Sequence, residues 1–199
     1  FGASLQVTQA LELNARIPVV AYQEGSLTTS PTLASAGLDG IVLGARYQLL
    51  RQSAEAPLSA ALALEGSLPE GSTRALAGTD QWAFTPRLEL GHRYQKVVVG
   101  AQVGALLRHE PTDFGGQNGR LGSEMQAGAV VATTGAPLRG ELSVRGSLGG
   151  KKVEQSLEVM AGARYAFAGQ WEAFALGGPG FFEAPGTPRF RGVLGLAWV

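Results

Sequence analysis

The chain has 199 residues, no cysteine and a formal net charge of zero, with 16 basic and 16 acidic residues. The lack of cysteine excludes disulfide frameworks and cysteine nucleophiles, and the absence of a basic run longer than Lys151–Lys152 argues against a nucleic-acid partner. Glycine is frequent at 29 residues, while charged residues make up 16%, against about 25% in typical soluble domains. No window approaches the ~20 consecutive apolar residues of a membrane helix.

Apolar and polar residues alternate along the chain with a period of two, which is typical of strands with two different faces. Most segments run about 10–13 residues, near the ~9–11 that a tilted strand needs to cross a bilayer. The predicted strands are, in chain order, Gly2–Val7, Leu11–Tyr22, Gly40–Leu50, Leu58–Leu68, Trp82–Tyr94, Val97–Leu107, Glu124–Val131, Leu138–Leu148, Leu157–Phe167, Trp171–Gly178 and Phe190–Val199.

The connections between these segments alternate in length. Short turns are predicted at Thr8–Ala10, Arg51–Pro57, Tyr94–Lys96, Thr134–Pro137 and Ala168–Gln170. Longer polar links are predicted at Glu24–Asp39, Glu70–Gln81, Glu110–Gly122, Gly149–Gln155 and Pro179–Pro188. This asymmetry is typical of outer-membrane barrels, whose short turns are periplasmic. It predicts one domain over residues 1–199: an all-β, antiparallel, up-and-down transmembrane β-barrel of about 12 strands. Eleven strands lie in this chain and one is expected upstream of Phe1.

Aromatic residues are expected to form two girdles around the apolar belt of the barrel, as in other barrels in lipid. The predicted girdle consists of Tyr22, Tyr47, Trp82, Tyr94, Tyr165, Trp171 and Trp198. A water-soluble sandwich or lipocalin-like barrel is the alternative, since its strands also alternate. That alternative leaves the segment length, the loop asymmetry and the girdles unexplained.

The opposite face of the predicted strands carries charges of both signs, which are expected to line the lumen. The predicted charge network consists of Glu12, Arg16, Arg46, Glu65, Arg87, Glu89, Arg93, Arg108, Glu124, Arg139, Glu141, Arg145, Glu158, Arg164 and Arg191, and Glu172 and Arg189 share its parity. Rings of one sign would indicate selective conduction. The near balance of signs instead favours a network that braces the barrel around a narrow or closed bore, with a transport path as the alternative.

Residues that could support catalysis are scarce. His92 and His109 are the only histidines, and both fall on the lipid-facing parity of their strands. One outer-membrane phospholipase uses an outward-facing Ser/His pair, but no local motif places a serine beside His92. Asp113 and Gln117 do not have the spacing of a known calcium loop. We therefore expect no enzyme activity, no catalytic residue, no metal site and no cofactor.

Several segments resemble the N-terminal barrels of OmpA-family proteins of myxobacteria and related δ-proteobacteria, including the TraB-like type of outer-membrane exchange. The resemblance rests on LELNARIPVVAY at Leu11–Tyr22, LDGIVLGARYQLL at Leu38–Leu50, TPRLELGHRY at Thr85–Tyr94 and the ending Gly178–Val199. It implies a downstream periplasmic domain that binds peptidoglycan, and it allows a role in cell–cell recognition.

Two functional classes follow, both in the bacterial outer membrane. The first is an anchor or scaffold for a periplasmic cell-wall-binding domain and for a surface receptor, adhesin or complex. The second is a narrow pore or transporter for small polar solutes. The expected partners are outer-membrane lipid and lipopolysaccharide, a surface receptor or adhesin, and peptidoglycan through a downstream domain, but not nucleic acid. The long links Glu24–Asp39 and Glu110–Gly122 are the predicted contact surfaces.

Overall fold

The computed structural model describes residues 2–17, 19–20, 37–38, 40–54, 56–69, 82–109, 112–113, 120–150, 155–167, 169–182 and 189–198. Within these ranges the only regular secondary structure is β-strand. In the same ranges, no helix is long and apolar enough to cross a membrane.

The described residues contain fifteen strands. They are β1 (Gly2–Gln6), β2 (Leu11–Arg16), β3 (Val19–Val20), β4 (Gly37–Leu38), β5 (Val42–Leu50), β6 (Ser59–Ser67), β7 (Ala83–Tyr94), β8 (Val97–Arg108), β9 (Thr112–Asp113), β10 (Arg120–Leu121), β11 (Glu124–Thr133), β12 (Leu138–Gly149), β13 (Ser156–Phe167), β14 (Trp171–Phe181) and β15 (Phe190–Trp198).

One sheet contains eleven of these strands, in the order β1-β2-β5-β6-β7-β8-β11-β12-β13-β14-β15. Each strand pairs with the next one along the sheet, and the registers are antiparallel, for example Leu11 with Tyr47 and Leu138 with Tyr165. This is an up-and-down topology, in which neighbouring strands of the sheet follow each other in the chain or have only one of the two-residue ladders between them. The predicted all-β, antiparallel, up-and-down fold with eleven strands in this chain is confirmed. The twelfth strand, expected upstream of Phe1, stays a prediction.

The remaining four strands form two small ladders, β3 with β4 and β9 with β10. The sequence predicted an unbroken strand over Leu11–Tyr22, but β2 ends at Arg16 and the two-residue β3 begins at Val19. The predicted long link Glu110–Gly122 likewise contains β9 and β10. The unbroken strand over Leu11–Tyr22 was wrong, because the sequence has a proline at position 18, which has no N–H to donate to a ladder. The link Glu110–Gly122 still connects two strands of the large sheet, β8 and β11. Most of Glu24–Asp39 and Glu70–Gln81 lies outside the described residues.

The short turns are tight and use left-handed backbone conformations. Gln95 has a φ of 46°, and Gly135 and Gly169 have φ values of 84° and 75°. Tight antiparallel hairpins favour such residues, because their backbone twist matches that of the flanking strands. The two-residue turn Gln95–Lys96 joins β7 to β8.

Exposure alternates along the strands with the period that the sequence predicted. In β11 the odd-numbered residues are exposed, from Met125 at 54% to Val131 at 45%, and the even-numbered residues are partly buried. The exposed face is thus the apolar one. In the described part of the chain, no large side chain is fully buried, and the buried apolar residues are the alanines Ala60, Ala61, Ala63 and Ala83. A water-soluble domain buries its large apolar residues instead.

The chain forms two compact units. One comprises Phe1–Leu49, Ala61–Leu88 and Gly104–Glu124, and is called the first unit below. The other, the second unit, comprises Leu50–Ala60, Glu89–Val103 and Met125–Val199.

In the second unit, the ladder between β13 and β14 is interrupted near Pro179. Proline has no N–H to donate, and the paired residues are Glu158 with Gly180 and then Ala161 with Gly177, with no register pair between them. A Cβ on Gly178 would overlap the carbonyl oxygen of Val159. The strand β14 continues past this point to Phe181, whereas the sequence predicted its end at Gly178.

We expect Gly178→Ala to lower the free energy of unfolding by about 1–3 kcal/mol, because the added methyl group forces two backbones apart. Gly140→Ala is the matched control: its Cβ would find its nearest neighbour, Thr133 Oγ1, at 4.0 Å. Urea unfolding of the folded protein in lipid vesicles, followed by tryptophan fluorescence, measures both changes. Equal stability of the two variants would contradict the close approach at Gly178.

Candidate functional site

Aromatic side chains lie on the exposed apolar face, near the ends of the strands. The described members of the predicted girdle have exposed fractions from 46% at Trp171 to 69% at Trp198. The indole Nε1 of Trp198 donates to Gln170 Oε1 over 2.9 Å, so its polar edge is directed towards the short turn. Rings with one apolar and one polar side suit a membrane–water interface. The other described girdle residues, all exposed, are Tyr47, Trp82, Tyr94 and Tyr165, and Tyr22 lies outside the described residues.

The charged residues lie on the opposite face of the strands, where they form clusters. In the first unit, Glu65 on β6 accepts from two arginines. Arg87 on the neighbouring β7 donates from Nη1 and Nη2 over 3.0 and 2.6 Å. Arg16 on β2 reaches across β5 and binds the same carboxylate over 2.7 Å. The Arg87 Nε atom is buried and has no hydrogen-bond partner. The Glu65 carboxylate therefore compensates the positive charge of the Arg87 guanidinium through the two Nη atoms.

Arg108 and Glu124 form a second pair in the first unit. Their closest charged atoms are 3.9 Å apart, and both side chains are largely buried, at 12% and 14% exposure. Arg108 Nη1 also donates to the carbonyl oxygen of Gly122, which follows β10. The ion pair and the hydrogen bond of Arg108 therefore link the end of β8 to the start of β11.

A four-residue cluster lies in the second unit, and we call it the Glu172 cluster: Arg139, Glu141, Arg164 and Glu172. Arg139 and Arg164 stand directly opposite each other in the β12–β13 register, a juxtaposition that like charges disfavour. Glu172, 7% exposed, pairs with both guanidinium groups. Glu141 accepts from Arg164 Nε over 2.6 Å. Two acids therefore balance two bases, and Arg164 also lies 5.1 Å from the centre of the Phe174 ring.

Glu158 and Arg191 form the last pair of the second unit, between β13 and the end strand β15 of the sheet order. Arg191 donates from Nη2 and Nε to the same Glu158 oxygen over 2.9 and 3.2 Å. Its side chain is 43% exposed, so water screens this pair more than the pairs of the Glu172 cluster.

The other predicted charges are not brought into these clusters. Glu12 stands opposite Arg46 in the β2–β5 register, and Arg46 Nη1 donates to Gln48 Oε1 over 3.3 Å. Glu89 and Arg145 both line a recess of about 340 Å³ in the second unit. Arg93 and Arg189 are exposed.

Sequence reasoning missed a polar contact at the short-turn end of β7, in the second unit. The Gln52 side chain accepts from the Arg93 backbone N–H over 2.7 Å and donates to the Arg93 carbonyl over 2.8 Å. It thus imitates one rung of a β-ladder. The His92 ring nitrogen Nδ1 lies 2.6 Å from the Pro57 carbonyl oxygen, so it donates to that carbonyl. No pattern of alternation could have indicated either contact, because Gln52 and Pro57 lie in an irregular turn.

Neither histidine is placed in a catalytic arrangement in the part of the chain that the structure describes. His92 holds the turn at Pro57, and the His109 backbone N–H donates to the Trp82 carbonyl over 3.3 Å. Among the described residues there is no group of three or more His, Cys, Asp or Glu side chains that could hold a metal ion.

We expect Glu172→Gln to lower the free energy of unfolding by about 2 kcal/mol or more, since it leaves the half-buried Arg139 opposite Arg164 without the carboxylate that compensates both. Glu158→Gln is the comparison variant, because Glu158 has one described partner and that partner is more exposed. Glu158→Gln is expected to lower the free energy of unfolding by about 1 kcal/mol or less. Urea unfolding in lipid vesicles measures both. A smaller loss for Glu172→Gln than for Glu158→Gln would contradict the role assigned to the cluster.

Comparison with known proteins identifies the fold. No protein-family model and no curated protein sequence matches this chain. Among solved structures, the chain is similar to an outer-membrane channel from Pseudomonas putida F1, with a TM-score of 0.69 and 16% sequence identity. The match covers 98% of this chain and 79% of that one. The eleven-stranded up-and-down sheet therefore has the fold of an outer-membrane β-barrel.

Proposed function

We propose that this chain forms the wall of a narrow channel in a bacterial outer membrane, which passes small polar solutes. The observation that carries the proposal is the division of the strands into an exposed apolar face and a face of charged and small polar residues. Lipid would cover the first face and water would wet the second. The likeness to a solved outer-membrane channel supports both the location and the function.

The clusters on the charged face suit a narrow bore. Glu65, Glu141, Glu158 and Glu172 are each bound to at least one arginine across neighbouring or nearby strands. Such cross-strand pairs occupy space with side chains and offer a solute both signs of charge. A channel of this kind favours neither cations nor anions strongly, unlike a pore that is lined by a ring of one sign.

The second candidate function is structural. The same ion pairs would brace the wall of a barrel that anchors a periplasmic, peptidoglycan-binding domain and supports a surface receptor or adhesin. The resemblance to OmpA-family barrels of the TraB-like type favours this role, and so do the four-residue size of the Glu172 cluster and the low exposure of its two glutamates. In either role the chain would contact outer-membrane lipid and lipopolysaccharide and would need neither cofactor nor catalytic residue.

We expect the purified full chain to give steady single-channel current steps in planar lipid bilayers. The double variant Glu158→Ser with Arg191→Ser removes one charge pair without changing the net charge. It should enlarge the step, because two long side chains no longer fill the bore. Leu142→Val, on the exposed apolar face, is the control and should leave the step unchanged.

A folded barrel that conducts no current would contradict the channel and leave the anchoring role. The folded state is checked independently, since intact barrels migrate differently in electrophoresis before and after heating. Current steps that do not respond to the double variant would show that the charged face does not line the conducting path.

A further inference from the structure

A recess lies at the short-turn end of the strands in the second unit, and we call it the turn recess. Its volume is about 500 Å³, within the range of small-molecule sites. Its lining includes Arg51 and Gln52 in the turn, Ser59 at the start of β6, and Gly91 and Arg93 near the end of β7. Among the described lining residues none is acidic, so the turn recess carries positive charge.

The Gln52 side chain holds the turn against β7 and thereby brings the two arginines to one recess. It accepts from the Arg93 N–H over 2.7 Å and donates to the Arg93 carbonyl oxygen over 2.8 Å. The Gln52 backbone N–H donates to Ser59 Oγ over 3.3 Å. Arg51 precedes Gln52 in the chain, so the same contacts place both arginine side chains beside Ser59.

The Arg93 guanidinium is available for a ligand. Arg93 is exposed, and within the part of the chain that the structure describes its side chain makes no ion pair. Arg51 has an interaction of its own, so we assign it no contact with a ligand. A guanidinium donates two parallel hydrogen bonds to a carboxylate or a phosphate, and the described lining has no carboxylate to accept them.

Room for a ligand lies beside Arg93, at Gly91. A Cβ on Gly91 would find its nearest neighbours, Ser59 Cβ and the Val99 carbonyl oxygen, at 4.0 Å, so no other side chain takes the place of the missing one. Ser59 Oγ accepts from Gln52, which leaves the hydroxyl proton of Ser59 to be donated. The Arg93 fork and the Ser59 hydroxyl together offer three donors at the turn recess.

We infer that the turn recess binds a small phosphate monoester. Such a group has three terminal oxygens and a charge near −2, so it can accept from both arms of the Arg93 fork and from Ser59. A carboxylate has one oxygen fewer and about half the charge. The inference rests on the proposed function, because a solute reaches the turn recess only if the charged face is open to water. It adds a preferred class of solute to a bore whose ion pairs are balanced.

The test uses glycerol 3-phosphate as the probe and isothermal titration calorimetry of the full purified chain in detergent micelles. Glycerol 3-phosphate should bind, glycerol should not, and glycerate should bind about tenfold more weakly or worse. Arg93→Gln should raise the dissociation constant for glycerol 3-phosphate about tenfold or more, since it removes charge-assisted hydrogen bonds. Arg189→Gln removes an exposed arginine outside the turn recess and should leave the dissociation constant unchanged.

A second pair of variants tests the space instead of the charge. Gly91→Val puts a side chain into the turn recess and should abolish binding, because it occupies the place of the phosphate group. Gly140→Val is the matched control: its Cβ also has its nearest neighbour at 4.0 Å, and it lies on the exposed face of β12. Gly140→Val should bind glycerol 3-phosphate as the wild-type chain does. Electrophoresis before and after heating checks that each variant is folded.

Absent binding of glycerol 3-phosphate to the folded wild-type chain would overturn the inference, and so would equal binding by Arg93→Gln and Arg189→Gln. Equal affinity for glycerate would overturn the assignment to a phosphate group. Unchanged binding by the folded Gly91→Val variant would show that the ligand lies elsewhere. A channel that conducts but does not bind the probe contradicts only this inference, whereas binding without conduction contradicts only the proposed channel.

Discussion

Every backbone N–H and C=O group inside a bilayer must find its hydrogen-bond partner within the protein, because hydrocarbon offers none. The up-and-down sheet meets this constraint with ladders between strands that follow each other in the chain. Pro179 has no N–H to donate, and the β13–β14 ladder has no register pair beside it. Gly178, which has no side chain, allows the backbones of β13 and β14 to stay close there. The same pairing fixes which residues share a face, so both the apolar belt and the ion-pair clusters depend on its register.

The two faces of the sheet suit opposite environments. Large apolar side chains such as Leu194 and Leu142 are exposed, which water would penalise and lipid would favour. The charged side chains would be costly in lipid, and they lie on the other face, where partners across one or two strands compensate them. Arg139 and Arg164 illustrate how strict this compensation is. Their register places two like charges together, and Glu172 binds both.

Most of the fold could be predicted from the sequence, because a period of two reports the face of each residue wherever a strand separates lipid from water. The eleven strands and the exposed face of β11 follow from it. The partners within the charged face could not be predicted, since they depend on register and on side-chain reach. Arg16 binds Glu65 across an intervening strand, whereas Glu12 makes no such pair in the described part of the chain.

The account depends on one claim above all, that lipid covers one face of the strands and water wets the other. Since the chain has no native cysteine, single-cysteine variants of β11 test this claim in lipid vesicles with a water-soluble, membrane-impermeant maleimide. Gln126→Cys and Val130→Cys should react readily, and Ala127→Cys and Ala129→Cys should be protected. Similar reaction rates at all four positions would contradict the division of the sheet into a lipid face and a water face.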